Sequence, residues 1–133
     1  MTSQEKFEYW WDIAQYDLET AQAMFDAGRW LYVVFMCQQA IEKICKGLYL
    51  LLIDDDVPWT HDINSLITKF ADKIPEPISD DKRLFFAKLS AFYLNNRYPE
   101  YKERLSTSLS REEARNILDK SREVFAWLLT LKP

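Results

Sequence analysis

Apolar residues in this chain recur at alternating steps of four and three, the spacing that keeps one stripe on one face of an α-helix. The longest stripe lies between Arg29 and Ile53, where Trp30, Val34, Cys37, Ile41, Ile44, Leu48 and Leu51 fall in line. A second row on the same segment, one residue further along, reads Phe35, Gln39, Glu42, Lys46, Tyr49 and Ile53, so apolar and aromatic ends flank a polar, charged middle. The first stripe needs other helices to cover it. The second is where a function can sit on the central helix.

The flanking segments supply those covers. A first helix is expected from about Glu5 to about Ala27, with Phe7, Trp11, Ala14, Leu18, Ala21 and Phe25 in register and Trp10, Ile13 and Met24 widening the face. Gly28 then offers the left-handed stop that helix ends favour, and so short a connection makes the first two helices an antiparallel hairpin. Asp54 to Pro58 interrupt regular structure. A third helix is expected to be capped by Thr60, with Asp62 in its first turn, Ile63, Leu66, Ile67, Phe70 and Ile74 buried, and Pro75 and Pro77 ending it. A fourth begins at Ser79, marked by Asp80 and Asp81, and carries Leu84, Phe85, Ala87, Leu89, Ala91, Phe92 and Leu94 before Pro99. No period is visible from Asn95 to Leu109, an irregular stretch long enough to be functional or mobile. The last helix opens on the capping box Ser110-Arg-Glu-Glu113 and runs Ala114, Ile117, Leu118, Ser121, Val124, Phe125 and Leu128 along one side. The prediction is an all-α, up-and-down bundle of about five helices.

Composition and local sequence sharpen this picture further. The 133 residues suit one domain, 1–133, and two glycines in the whole chain speak against a sheet-rich fold with many tight turns. An aromatic share of 15%, with wide apolar faces on the fourth helix above all, suggests self-association. The net charge of -4 gives no global attraction to nucleic acid, so such binding would need a local basic patch. Cys37 and Cys45 stand about 12 Å apart along one helix at roughly 1.5 Å per residue, too far for a mutual disulfide, and read as buried thiols of a reducing compartment. The start Met-Thr-Ser-Gln-Glu-Lys has no apolar core after a basic region, so no secretory signal is expected. Gln38, Gln39, Glu42, Lys43 and Lys46 speak against a membrane span over the central helix, and a cytoplasmic protein is expected.

Standard enzyme chemistry finds little to work with. One histidine in the chain excludes the paired Glu-x-x-His sites of di-iron bundles, and zinc sites fare no better. Gly28 and Gly47, one at a helix end and one inside a helix, cannot build a phosphate-cradling loop. A serine or cysteine nucleophile would depend on His61 as its base, and Cys37 lies on the core stripe. No metal and no cofactor are expected.

Two constellations remain. The series Ala14, Asp17-Leu18, Ala21, then Gly28-Arg29-Trp30, then Cys37 through Lys46, then Thr60-His-Asp-Ile63 with Leu66, then Tyr93 and Arg97-Tyr-Pro-Glu100 resembles the HEPN domain, the higher eukaryote and prokaryote nucleotide-binding family. The likeness runs from about Trp10 to about Leu129. It implies an all-helical bundle related to nucleotidyltransferase substrate-binding domains, commonly paired as a homodimer and often encoded beside a minimal nucleotidyltransferase. Many members cleave RNA without a metal. Those members carry an arginine followed, after four to six residues, by a histidine; Arg97 takes the arginine's place, but Tyr98 to Arg104 include no histidine. Metal-free cleavage needs one group to take the ribose 2'-hydroxyl proton and another to protonate the leaving oxygen. The resemblance therefore implies a nucleotide- or RNA-binding accessory domain whose ribonuclease motif is incomplete. The alternatives are a metal-independent RNA endonuclease of a toxin-antitoxin system and a non-catalytic interaction scaffold.

The candidate residues each carry two readings. Arg97 and His61 are the candidate catalytic pair; the plainer role for His61 is a hydrogen bond near the start of the third helix. Glu42 and Lys46, one turn apart, form either a solvated ion pair or part of a polar row facing a dimer partner or a cleft, where Glu42 positions a basic residue and Lys46 or Lys43 meets a phosphate. Arg97 with Tyr93 and Tyr98 forms either a helix-ending turn or a groove that stacks a base and grips its phosphate.

Overall fold

The computed structural model describes residues 1–95 and 108–133. Among them are helices α1 (Ser3–Asp26), α2 (Trp30–Ile53) and α3 (Ile63–Phe70), a short 3-10 turn (Ala71–Lys73), then α4 (Asp80–Asn95) and α5 (Arg111–Leu129). The described residues contain no strand, and the bundle is all-α as expected. Helix α2 packs against each of the other four and is the centre of the fold.

Local chemistry sets the ends of these helices. Thr2 caps α1, its hydroxyl accepting from the Glu5 amide at 3.1 Å while the Thr2 amide donates to the Glu5 carboxylate at 3.0 Å. The box starts the helix two residues before the position expected from periodicity alone. At the other end Gly28 takes φ +73°, and the Arg29 amide reaches back to the Met24 carbonyl at 2.8 Å while Gly28 bonds Phe25 at 3.0 Å. This paired closure folds the chain back within three residues and makes α1 and α2 antiparallel. Asp54 ends α2 in the left-handed region, and its carboxylate accepts from the Ser3 hydroxyl at the start of α1.

The core follows the hydrophobic stripes. Val34, Cys37, Ile41, Ile44 and Leu48 of α2 are fully buried, with Trp30 and Leu51 partly covered at the ends. Helix α1 contributes Phe7, Ala14, Ala21 and Phe25, and α5 buries all seven positions that its pattern marks. Helices α1 and α2 come close at Gly47, where a Cβ would stand 3.1 Å from the Trp10 Cβ and 3.2 Å from the Phe7 ring. Both cysteines are free and buried; burial pushes the Cys37 thiol up to about 11 and moves Cys45 further the same way. No helix among the described residues is long and apolar enough to cross a membrane.

Three details differ from the sequence reading. Asp62, not Thr60, caps α3 by accepting from the Asn64 amide at 3.1 Å; Thr60 instead accepts from the Asp62 amide, which delays the helix. Ile74 lies beyond the 3-10 turn rather than on the helix. Leu84, Ala87 and Ala91 of α4 face solvent, because the helix turns Phe85, Phe86, Leu89 and Ser90 toward the core. A segment apolar around most of its circumference does not reveal from its own sequence which face its neighbours will cover. The expectations for Arg97, Tyr98 and most of the Asn95–Leu109 stretch fall outside the described residues.

Replacing Gly47 with valine should force α1 away from α2 and lower stability by about 1–3 kcal/mol, the usual cost of overpacking. Urea denaturation followed by circular dichroism measures it.

Candidate functional site

The polar middle of α2 is turned inward. Gln38 has no exposed surface and Glu42 only 2%, although each has ordinary polar needs. A buried carboxylate persists only where its lost hydration is replaced by donors. Glu42 Oε1 accepts from Gln38 Nε2 at 2.9 Å and contacts His61 Nδ1 at 3.0 Å, and Oε2 accepts from Lys46 Nζ at 2.9 Å. Gln38 and Lys46 stand one helical turn to either side of Glu42, so α2 itself delivers two of the three donors. The Gln38 amide also donates to the His61 carbonyl at 3.3 Å and accepts from Gln39 at 2.7 Å.

The third donor arrives from the connection between α2 and α3, and its position is fastened by α4. The Ile63 amide donates to the buried Ser90 hydroxyl at 3.2 Å. Asn64 donates to the Arg83 carbonyl at 2.9 Å, and the Arg83 guanidinium donates to the Asn64 carbonyl at 3.2 Å and to the Thr68 hydroxyl at 3.1 Å. His61 is thereby held between α2 and α4. Because a carboxylate only accepts, the proton in its contact with Glu42 belongs to Nδ1. In the neutral ring Nε2 is then the acceptor for the Tyr93 hydroxyl, 3.2 Å away. The Tyr93 ring lies over His61 with centroids 4.4 Å apart and stacks on Phe35 at 5.6 Å, 18° from parallel.

Beside this chain of contacts opens a cleft of about 260 Å³, walled by Trp10, Pro58 and Trp59 and lined also by Lys46 and His61. The Lys46 ammonium sits 5.7 Å from the centre of the Trp10 ring. The arrangement has two chemical capacities. A lysine at an open aromatic cleft can meet an anion, and an imidazole oriented by a carboxylate can move a proton. Among the described residues, no group of three or more His, Cys, Asp and Glu side chains is placed to hold a metal ion.

Of the residues singled out from the sequence, Glu42, Lys46, His61 and Tyr93 come together in one network. The Glu42–Lys46 pair is not the solvated ion pair of a free helix face: its side chains are 2% and 14% exposed. The His61 side chain makes a tertiary contact between helices rather than a bond at the helix start. Lys43 lies elsewhere, paired with Asp17 of α1 at 2.6 Å. Arg97 and Tyr98 lie outside the described residues. Gln38, Trp10 and Trp59 were not foreseen as site residues. For Gln38 the signal was present, since it precedes Glu42 by four residues on the same helix. Trp59 stands in an aperiodic connection that no pattern reaches.

These features define a helical bundle whose central helix presents a buried polar hub beside an aromatic cleft. The family model for the HEPN domain matches residues 7–131, and the chain belongs to the HEPN domain family. Its fold is similar to that in the crystal structure of TT1696 from Thermus thermophilus, with a TM-score of 0.79, 24% identity, and coverage of 94% of this chain and 97% of that one. At that identity the likeness is one of fold. No curated protein is significantly similar to the chain.

Breaking the hub from one side should cost more than removing the pair. Lys46→Met leaves the Glu42 charge short of its cation and should lower stability by about 3 kcal/mol. The double variant Glu42→Leu/Lys46→Met should be less destabilised than the sum of its single variants, a coupling that urea denaturation of all four proteins reads directly.

Proposed function

We propose that the chain is a nucleotide- or RNA-binding HEPN accessory domain that does not itself cleave its ligand. The carrying observation is the engagement of its one imidazole on both sides, Nδ1 by Glu42 and Nε2 by Tyr93. A histidine committed in this way is a structural member of the hub, and the residues after Arg97 supply no second one. Lys46 at the aromatic cleft supports ligand binding without catalysis. Arg97, four residues along the chain from Tyr93, is the further phosphate-gripping residue in this reading, with Tyr98 beside it in sequence.

In this proposal residues 1–133 act as one domain and work as a homodimer in the cytoplasm beside a minimal nucleotidyltransferase chain. Exposed apolar surface supports self-association: Tyr9 and Tyr16, seven residues apart on α1, are 58% and 70% exposed, and Leu84 on α4 is 72% exposed. The two buried cysteines suit a reducing compartment.

One observation favours a second reading. A carboxylate that orients an imidazole is also how acid–base catalysts are held. If a ribose 2'-hydroxyl displaces the Tyr93 hydroxyl from Nε2, His61 becomes the base of a metal-independent endonuclease of the toxin-antitoxin kind.

Incubating the protein with labelled RNA in chelator, alongside Arg97→Ala and His61→Gln variants, separates these readings. The accessory domain predicts binding without cleavage, weakened roughly tenfold in Arg97→Ala, a size typical of losing a charge-assisted contact. Cleavage by the native protein that disappears in His61→Gln would install the endonuclease. A folded protein that cuts no RNA and binds neither RNA nor a mononucleotide would leave the interaction scaffold.

A further inference from the structure

Trp59 is 98% exposed, an energetically poor place for the largest apolar side chain, and it follows Pro58 in the lining of the Lys46 cleft. Trp10 stands in the same wall, half-buried, with the Lys46 ammonium near its ring. One N–H of Lys46 goes to Glu42; an ammonium has three, and the other two are suited to ligand oxygens. We infer that this cleft is a subsite for a free mononucleotide, its base stacked on Trp59 and its phosphate met by Lys46. The inference rests on the nucleotide-binding reading above and narrows it from nucleotide or RNA to a single nucleotide.

Two observations select the free mononucleotide over an RNA strand. The cleft, about 260 Å³, lies just below the size range of sites for drug-sized ligands and holds one ring system with its sugar rather than a strand. Asp54, Asp55 and Asp56 immediately precede this wall and are all exposed. Exposed carboxylates this close along the chain to Val57 of the cleft wall disfavour the phosphodiester chain that would have to leave the cleft on either side of a bound base. A mononucleotide brings one phosphate and can point it at Lys46. The net charge of -4 acts in the same direction.

The test is isothermal titration calorimetry of the full chain with AMP, adenosine and a single-stranded oligoadenylate. AMP should bind more tightly than adenosine, through the phosphate on Lys46, and more tightly than the oligoadenylate. Trp59→Ala should weaken AMP roughly tenfold, and Trp59→Phe should retain most of the affinity. Since Trp59 is almost fully exposed, the alanine variant should keep the native circular dichroism spectrum. Asp55→Asn/Asp56→Asn should improve oligoadenylate binding and leave AMP binding nearly unchanged. AMP binding indifferent to Trp59→Ala would overturn the subsite while leaving the nucleotide-binding reading in place. Tighter binding of oligoadenylate than of AMP would overturn the choice of a mononucleotide. Trp59 buried against a second copy, seen as concentration-dependent shielding of its fluorescence, would overturn the cleft as a ligand site. A folded native protein that binds none of the three ligands would overturn the subsite and the nucleotide-binding reading together.

Discussion

A carboxylate with 2% of its surface exposed, on the helix that each of the other described helices packs against, is the constraint around which this molecule is arranged. Removing such a charge from water costs several kcal/mol, and only a full set of donors offsets that cost. Glu42 takes two donors from its own helix, which places Gln38 and Lys46 one turn away on either side. The third must come from elsewhere in the fold. That requirement explains why the connection after α2 is fastened so firmly: Ser90 and the reciprocal bonds of Asn64 and Arg83 tie the start of α3 to α4 and bring His61 to the carboxylate. Tyr93 follows from the same fastening, because α4 carries both Ser90 and Tyr93. The hub thus couples three helices through one charge.

The surroundings of the hub divide its chemistry. On the inner side the polar contacts are closed, with each ring nitrogen of His61 matched to a partner. On the outer side Lys46 meets a cleft walled by Trp10, Pro58 and Trp59. The chain belongs to the HEPN domain family, and Tyr98 to Arg104, which follow Arg97 in its sequence, include no histidine.

Much of the fold was legible in the sequence because it rests on periodicity and capping, which are local. The four-three stripe of α2, the small residues of α1, the Gly28 reversal and the Ser110 box each state their structure within a few residues. Helix α4 was legible as a helix but not in its orientation, since Leu84 and Phe85 are equally apolar and only packing decides that Phe85 goes inward. The site was half legible. Glu42, Lys46, His61 and Tyr93 could be named, yet the bond between Glu42 and His61 spans 19 residues and depends on how α3 is seated. Trp59 was invisible for the opposite reason: what sets it apart is that almost nothing covers it, and exposure is a property of the folded surface.

The most direct test is the protonation pattern of His61 read by nitrogen-15 NMR. The chain has a single histidine, so its ring signals are unambiguous. If Glu42 is the organising charge, the neutral ring carries its proton on Nδ1, that proton is slow to exchange with water, and both features disappear in Glu42→Leu. A ring protonated on Nε2 in the native protein, or a spectrum unchanged by loss of Glu42, would contradict the account.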